Sequence, residues 1–165
     1  MITLYNVVSS DGFIAAPNGS EDFIPDEQWD RFLKLLPDYD AVIYGRKTYE
    51  AVQKYDAAAL EAFEKTPITK LVVSTQADFK PKAGYTKISS PQEALEYGKN
   101  MLLSSGGSLN EAFVAAGLVD KLLQVRLPIS IDAGIRALSP ETKLRLESEQ
   151  PLENGAALRE FSIIR

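Results

Sequence analysis

The sequence predicts an α/β fold in which a mixed sheet of about eight strands lies between helices on both faces. Three observations carry that expectation. Strand-like and helix-like segments alternate through the first two thirds of the chain, the pattern of βαβ units. A β-rich tail follows from Val119, with Glu153-Asn154-Gly155 placed as a hairpin turn. Two apolar runs end in glycine and pass directly into helix starts, at Ala41–Glu50 and Met101–Asn110.

The elements read in order as follows. Residues 2–8 form a buried strand closed by the turn-like Ser10-Asp11-Gly12. Residues 16–25 are a loop rich in Pro, Asn, Gly and Asp. Residues 26–36 place Trp29, Phe32, Leu33 and Leu36 on one helical face. Strand 40–44 leads into helix 46–55, and a short helix occupies 57–64. Lys70 to Ser74 is another buried strand. Ser90-Pro91-Gln92-Glu93 is a capping box with proline at the first helical position, predicting a helix over 91–98. Strand 101–104 and helix 108–116 come next, with Gly117 placed to stop the helix. Val119 to Ile131 is a long β-prone run broken at Pro128. The tail at 143–149 and 156–164 forms a terminal hairpin. No repeat or linker divides the chain, so residues 1–165 are expected to be one domain.

Composition narrows the chemistry. With 165 residues, 45% of them hydrophobic, the chain can bury a full core without staples. A net charge of −5 without blocks of like charge gives no nucleic-acid footprint. No apolar run approaches a membrane span, and the N-terminus enters a strand at once, so a cytoplasmic location is expected. The sequence contains no cysteine and no histidine. Zinc-thiolate sites, thiolate nucleophiles and serine–histidine hydrolysis are therefore excluded, and no metal site is expected. Chemistry on this chain must use a cofactor, carboxylates, Lys, Arg, Tyr or water. The G-x-G-x-x-G fingerprint and the G-x-x-x-x-G-K-[ST] phosphate loop are also missing, which argues against a Rossmann domain and a nucleoside triphosphatase.

The glycine junctions are the candidate binding site. A strand–glycine–helix junction aims free backbone N–H groups and the positive end of the helix dipole at a common point, which suits a phosphate. Two such junctions in one domain suit a ligand with several phosphates, such as a dinucleotide. Arg46 and Lys47 at the first helix start oppose the dipole unless an anion sits there, although both could simply face water. Ser108 and Glu111 could form a capping box, which leaves other N–H groups of that helix start free. Gly106 and Gly107 permit close backbone approach. Ser74 and Thr75 read equally as strand-ending polar residues or as phosphate contacts. Glu21, Asp22, Asp26 and Glu27 suit a helix entry for dipole reasons alone.

Val7-Val8-Ser9-Ser10-Asp11-Gly12-Phe13-Ile14-Ala15, Gly45-Arg46-Lys47-Thr48-Tyr49-Glu50 and Ser104-Ser105-Gly106-Gly107-Ser108-Leu109, in that order and spacing, resemble the dihydrofolate reductase superfamily. The chain is most similar to the branch of the reductase domain of the bifunctional riboflavin biosynthesis deaminase–reductase. The resemblance implies a three-layer α/β/α dihydrofolate reductase-like fold and NADPH as hydride donor. It implies a small pyrimidine or pterin-like substrate and a homodimer, for which Val119 to Ile131 offers apolar surface. It places Gly45, Arg46, Lys47, Thr48, Ser74 and Thr75 at the adenosine phosphates, and Gly106, Gly107, Ser108 and Leu109 at the pyrophosphate. The turn at Asp11-Gly12 begins the loop that covers the nicotinamide, and Glu27, following Pro25-Asp26, stands where folate reductases hold the pterin. Asp11 and Glu27 are thus the candidate catalytic residues. Two departures fall on the substrate side. Tyr5 stands where the riboflavin branch usually has lysine, and Ile129-Ser130-Ile131-Asp132 follows Pro128 in place of a Gly-x-Gly stretch. The alternatives are a dihydrofolate reductase, resting on Glu27, or a nucleotide-binding module with little turnover.

Overall fold

The computed structural model describes residues 1–165 and contains a mixed eight-stranded sheet with helices on both faces, as the alternation predicted. In chain order the elements are β1 (Ile2–Val8), β2 (Phe13–Ala15), α1 (Glu27–Leu35), β3 (Ala41–Gly45), α2 (Arg46–Val52), α3 (Ala57–Glu64) and β4 (Thr69–Val73). They continue with β5 (Thr86–Ile88), β6 (Met101–Leu103), α4 (Gly107–Ala115), β7 (Lys121–Arg126), β8 (Ile135–Arg136), β9 (Leu144–Pro151) and β10 (Ala157–Ile163). Across the main sheet the order is β5, β4, β3, β6, β1, β7, β10, β9. The pairs from β5 to β7 are parallel, and β10 alone runs antiparallel to its neighbours β7 and β9. The short strands β2 and β8 form a separate antiparallel ribbon.

The continuous apolar runs are explained by burial on both faces. Leu4, Ile43, Leu71 and Leu103 point to the α4 side, where Phe113 packs on them. Their neighbours Tyr5, Val42, Val72 and Leu102 point to the side covered by α1, α2 and α3, with Phe63 at its centre. Trp29 and Phe32 of α1 pack on Phe63 with ring centroids 5.8 and 6.2 Å away. Deleting a fully buried ring such as Phe63 costs about 3–5 kcal/mol.

Several boundaries differ from the sequence expectation. The helix expected over 91–98 is only a 3-10 turn at Gln92–Glu96. Its capping box is partly made, with Ser90 Oγ accepting from Glu93 N–H at 3.4 Å and the Glu93 carboxylate reaching Ser89 N–H instead of Ser90 N–H. Gly98, however, lies against Asp40, where an added Cβ would sit 2.5 Å from the Asp40 Cβ. The chain turns there to enter β6. Helix α1 stops before Pro37, and a 3-10 turn at Leu36–Asp38 completes it. Helix α2 ends at Val52 rather than 55, and Tyr55 instead packs edge-on against Trp29 at 5.1 Å. The terminal hairpin forms as read, with Asn154 at φ 59° and Gly155 at φ 79°, the left-handed pair that an Asn-Gly turn supplies. Strands β2, β5 and β8, of two or three residues each, had no periodic signal.

The topology collects the functional residues. From β1 the chain passes through α1 to β3, whereas from β6 it passes through α4 to β7 on the other side. The crevice at a sheet's carboxyl edge, where connections diverge in this way, is where open α/β sheets bind ligands. Ser9–Gly12, Ser74, Ser104–Gly106 and Leu127–Ile129 follow strands on this edge, Gly45 ends β3 there, and the antiparallel β10 begins there.

Candidate active site

The two glycine junctions meet. Gly45 and Gly106 are the N-caps of α2 and α4, both in extended conformation and neither helix start receiving a side-chain cap. Gly45 N–H donates to Ser105 Oγ at 3.0 Å, and Thr48 Oγ1 lies 3.4 Å from the same hydroxyl. Ser105 therefore ties the first junction to the second, a role visible only once β3 and β6 are known to be neighbours.

Around this tie, Arg46 is half-buried and pairs with Glu50 one turn later at 3.5 Å, while Lys47 is exposed. Because Gly45 pairs with Val73, Ser74 and Thr75 emerge beside the first helix start. Ser74 is buried and its Oγ accepts from Gln76 N–H at 3.2 Å; Thr75 faces outward.

The glycines of the second junction differ in purpose. An added Cβ on Gly106 would meet nothing within 4 Å, so space lies open in front of the helix. On Gly107 it would sit 2.6 Å from the Arg136 carbonyl oxygen, so this glycine is required by the chain's own packing. The capping box expected from Ser108 and Glu111 does not form. Glu111 instead accepts from Ser139 N–H, and Ser108 is exposed. Asn110, fully buried, donates to the carbonyls of Ser105 at 3.2 Å and Ala137 at 3.1 Å. Leu109 turns its side chain toward the α4-side core.

The two candidate carboxylates stand in different surroundings. Asp11 accepts from Ser9 Oγ at 2.6 Å, Ser130 Oγ at 2.9 Å, Asp132 N–H at 2.8 Å and Ile131 N–H at 3.3 Å. These donors, the Ser9 hydroxyl foremost, hold its carboxyl far below the ordinary carboxylate range. Glu27, the first residue of α1, is exposed, and the Asn154 amide approaches its oxygens at 3.4 and 3.5 Å. It lines a cleft of about 360 Å³ with Pro25, Leu127, Pro128, Ile129, Asn154 and Ala156. The opposite turn also carries Glu153, which pairs with Arg31 of α1 at 3.0 Å. Tyr5 is buried beside Phe32, with ring centroids 6.0 Å apart, and burial pushes its phenol well above the usual range.

These residues fit a dinucleotide. Two uncapped helix starts offer N–H groups, Arg46 and Lys47 offer charge, and Gly106 leaves room for close approach. No helix is long and apolar enough to cross a membrane.

Comparison with known proteins agrees with this fold. An uncharacterised Bacillus subtilis protein, YwjB, is 29% identical over 94% of both chains. The diaminohydroxyphosphoribosylaminopyrimidine deaminase/5-amino-6-(5-phosphoribosylamino)uracil reductase of Thermotoga maritima superposes with a TM-score of 0.74 at 14% identity, covering 99% of this chain and 56% of that one. Dihydrofolate reductase from Enterococcus faecalis, solved with NADP(H), superposes with a TM-score of 0.71 at 12% identity over 100% of this chain and 97% of that one. At such identities the superpositions establish a shared dihydrofolate reductase-like fold. The RibD C-terminal domain model matches residues 1–158, nearly the whole sequence. The chain belongs to the RibD C-terminal domain family.

Proposed function

We propose that this protein is an NADPH-dependent reductase of a small heterocyclic substrate, similar to the 5-amino-6-(5-phosphoribosylamino)uracil reductase of riboflavin biosynthesis. The observation that carries the reading is the pair of uncapped glycine helix starts, tied through Ser105, on the same sheet edge as the Glu27 cleft. Arg46, Lys47 and Thr48, with Gly45, Ser74 and Thr75, hold the adenosine-side phosphates. The N–H groups of Gly107, Ser108 and Leu109, approached past Gly106, hold the pyrophosphate. Bound NADPH supplies the hydride to an electrophilic C=N or C=O carbon.

The chain's own task is to orient the substrate and manage a proton. Glu27 is the carboxylate open to the cleft; with Asn154 it presents an acceptor and an amide to the polar edge of a pyrimidine or pterin-like ring, and it relays the proton directly or through water. Pro25, Leu127, Pro128 and Ile129 exclude solvent from the ring faces. Asp11, already saturated with donors from its own chain, stays ionised beside the site. The Glu27–Asn154 pair also favours a second reading, a folate reductase. The protein acts in the cytoplasm and as a homodimer.

Fluorescence titration with NADPH, followed by turnover assays with pyrimidines, pterins and dihydrofolate, tests the reading. NADPH binding and oxidation with a pyrimidine are expected. Oxidation with dihydrofolate alone would favour the folate reading, and binding without any turnover would favour a nucleotide-binding module. Loss of general acid or base assistance in Glu27→Gln should lower kcat by about 10²–10⁴-fold while leaving the NADPH dissociation constant unchanged. Unchanged turnover would remove Glu27 from the mechanism.

A further inference from the structure

The segment from Leu127 to Ser139 touches the cleft, the Asp11 turn and the start of α4 in turn. Pro128 and Ile129 form one wall of the cleft. The Ile129 carbonyl accepts from Ser10 N–H at 2.7 Å, and Ser130, Ile131 and Asp132 all donate to the Asp11 carboxylate. Strand β8 then pairs with β2, Gly134 packs directly against the Ala15 carbonyl, and the Arg136 guanidinium lies 4.8 Å over the Phe13 ring. Finally the Arg136 carbonyl presses on Gly107, Ala137 accepts from Asn110, and Ser139 donates to Glu111, all at the start of α4. One continuous strap thus joins the substrate cleft to the second phosphate junction.

At the middle of this strap sits a tight turn whose own bonds are few: Ala133 N–H donates to the Ile131 carbonyl at 2.8 Å, and Ser130 Oγ lies 3.3 Å from the Asp132 carboxylate. Asp132 is left-handed, with φ 66°, a region that disfavours a residue bearing a side chain. Its N–H and that of Ile131 point at Asp11, whose bonds to them are charge-assisted. We propose that Asp11 is a positioning residue: its carboxylate pins the strap at residues 130–132 and thereby fixes both the Ile129 wall of the cleft and the Gly107 start of α4. Asp11 then influences cofactor binding without touching the cofactor. The cofactor part of this inference rests on the reductase reading; the pinning does not.

Asparagine at position 11 presents an N–H₂ group where the strap offers N–H donors, and Ser130→Ala removes one hydroxyl, which donates to Asp11 at 2.9 Å and also lies 3.3 Å from the Asp132 carboxylate. Hydrogen–deuterium exchange, NADPH titration and steady-state kinetics on both variants test the proposal. In Asp11→Asn, exchange at residues 131–132 and at 110–113, the first hydrogen-bonded amides of α4, should quicken by about tenfold, with strands β3 and β6 unaffected, as expected for opening of a local unit. The NADPH dissociation constant and the substrate KM should both rise by about twofold, because only the fraction of molecules with an ordered strap binds well. Ser130→Ala should shift all of these in the same direction by less, and it carries the test alone if Asp11→Asn fails to fold. Exchange that quickens only at 131–132, or a fall in kcat with the NADPH constant unchanged, would overturn the proposal. If the wild-type protein binds no NADPH, the reductase reading fails, and exchange at 110–113 alone decides whether Asp11 pins the strap.

Discussion

At the scale of single residues, charge explains more than shape. Arg46 sits at the positive end of α2 and is offset only by Glu50, at 3.5 Å on a half-exposed surface, where a pair contributes little. On the proposed reading its partner is the ribose 2′-phosphate of NADPH. Arg46→Ala should therefore weaken NADPH by about 1.5–3 kcal/mol, the worth of a charge-assisted bond, and leave NADH nearly unchanged. Calorimetry with both nucleotides checks this, and equal losses would move Arg46 to the shared pyrophosphate. Asp11 makes a second prediction, in acid. Its folded pKa is depressed below the ordinary 3.8, so its contribution to stability is present above that value and is lost as pH falls through the folded pKa. Acid melts below about pH 4 should show the wild type losing this advantage over Asp11→Asn, while their difference stays constant near neutrality. A constant difference down to about pH 2 would mean that the carboxylate is not specially held.

At the scale of elements, the two glycines before and within α4 separate folding from binding. Gly107 meets the Arg136 carbonyl, so Gly107→Ala overpacks the contact between α4 and β8 and should destabilise the protein by about 1–3 kcal/mol in a denaturant titration. Gly106 has φ −77° and open space before it, so Gly106→Ala should leave the melt unchanged. Its new methyl group would instead occupy the approach to the helix start and weaken NADPH binding. The reverse pattern, a stable Gly107→Ala and a Gly106→Ala with full NADPH affinity, would show that packing does not require glycine at 107 and that the cofactor does not approach past residue 106. The α4 start also shows how an element is finished by distant chain. Its N-terminal half is covered by residues 136–139 through Asn110 and Glu111, not by the serine of its own first turn.

At the scale of the whole molecule, the run Val119 to Ile131 has a different fate from the one its composition suggested. Strand β7 lies inside the sheet between β1 and β10, and Val119, Leu122, Val125 and Leu127 are spent on the protein's own core. If the protein pairs, a better surface is the open face of β7, β10 and β9, where half-buried Leu123 and Leu158 border a hollow of about 210 Å³. A homodimer is expected by light scattering at micromolar concentration, and Leu158→Glu should shift it to monomer. A monomeric wild type would remove the pairing without affecting the reductase reading.

The α/β class, the long strands, the terminal hairpin and the two glycine junctions were all legible in the sequence. Each is encoded locally: apolar runs need burial on both faces, Asn154-Gly155 supplies left-handed backbone, and a glycine between strand and helix leaves N–H groups free. Residues 91–98 misled because a capping-box sequence, here only partly made, marks a helix start without specifying the length or type of turn, and the chain must close Gly98 onto Asp40 to enter β6. Ser105, Asn154, Arg136 and the Asp11 strap were not legible, since their partners lie far along the chain. Those partners are chosen by the folded arrangement: the sheet order that sets β3 beside β6, and the return of residues 127–139 across the carboxyl edge, bring distant donors and acceptors within hydrogen-bonding reach.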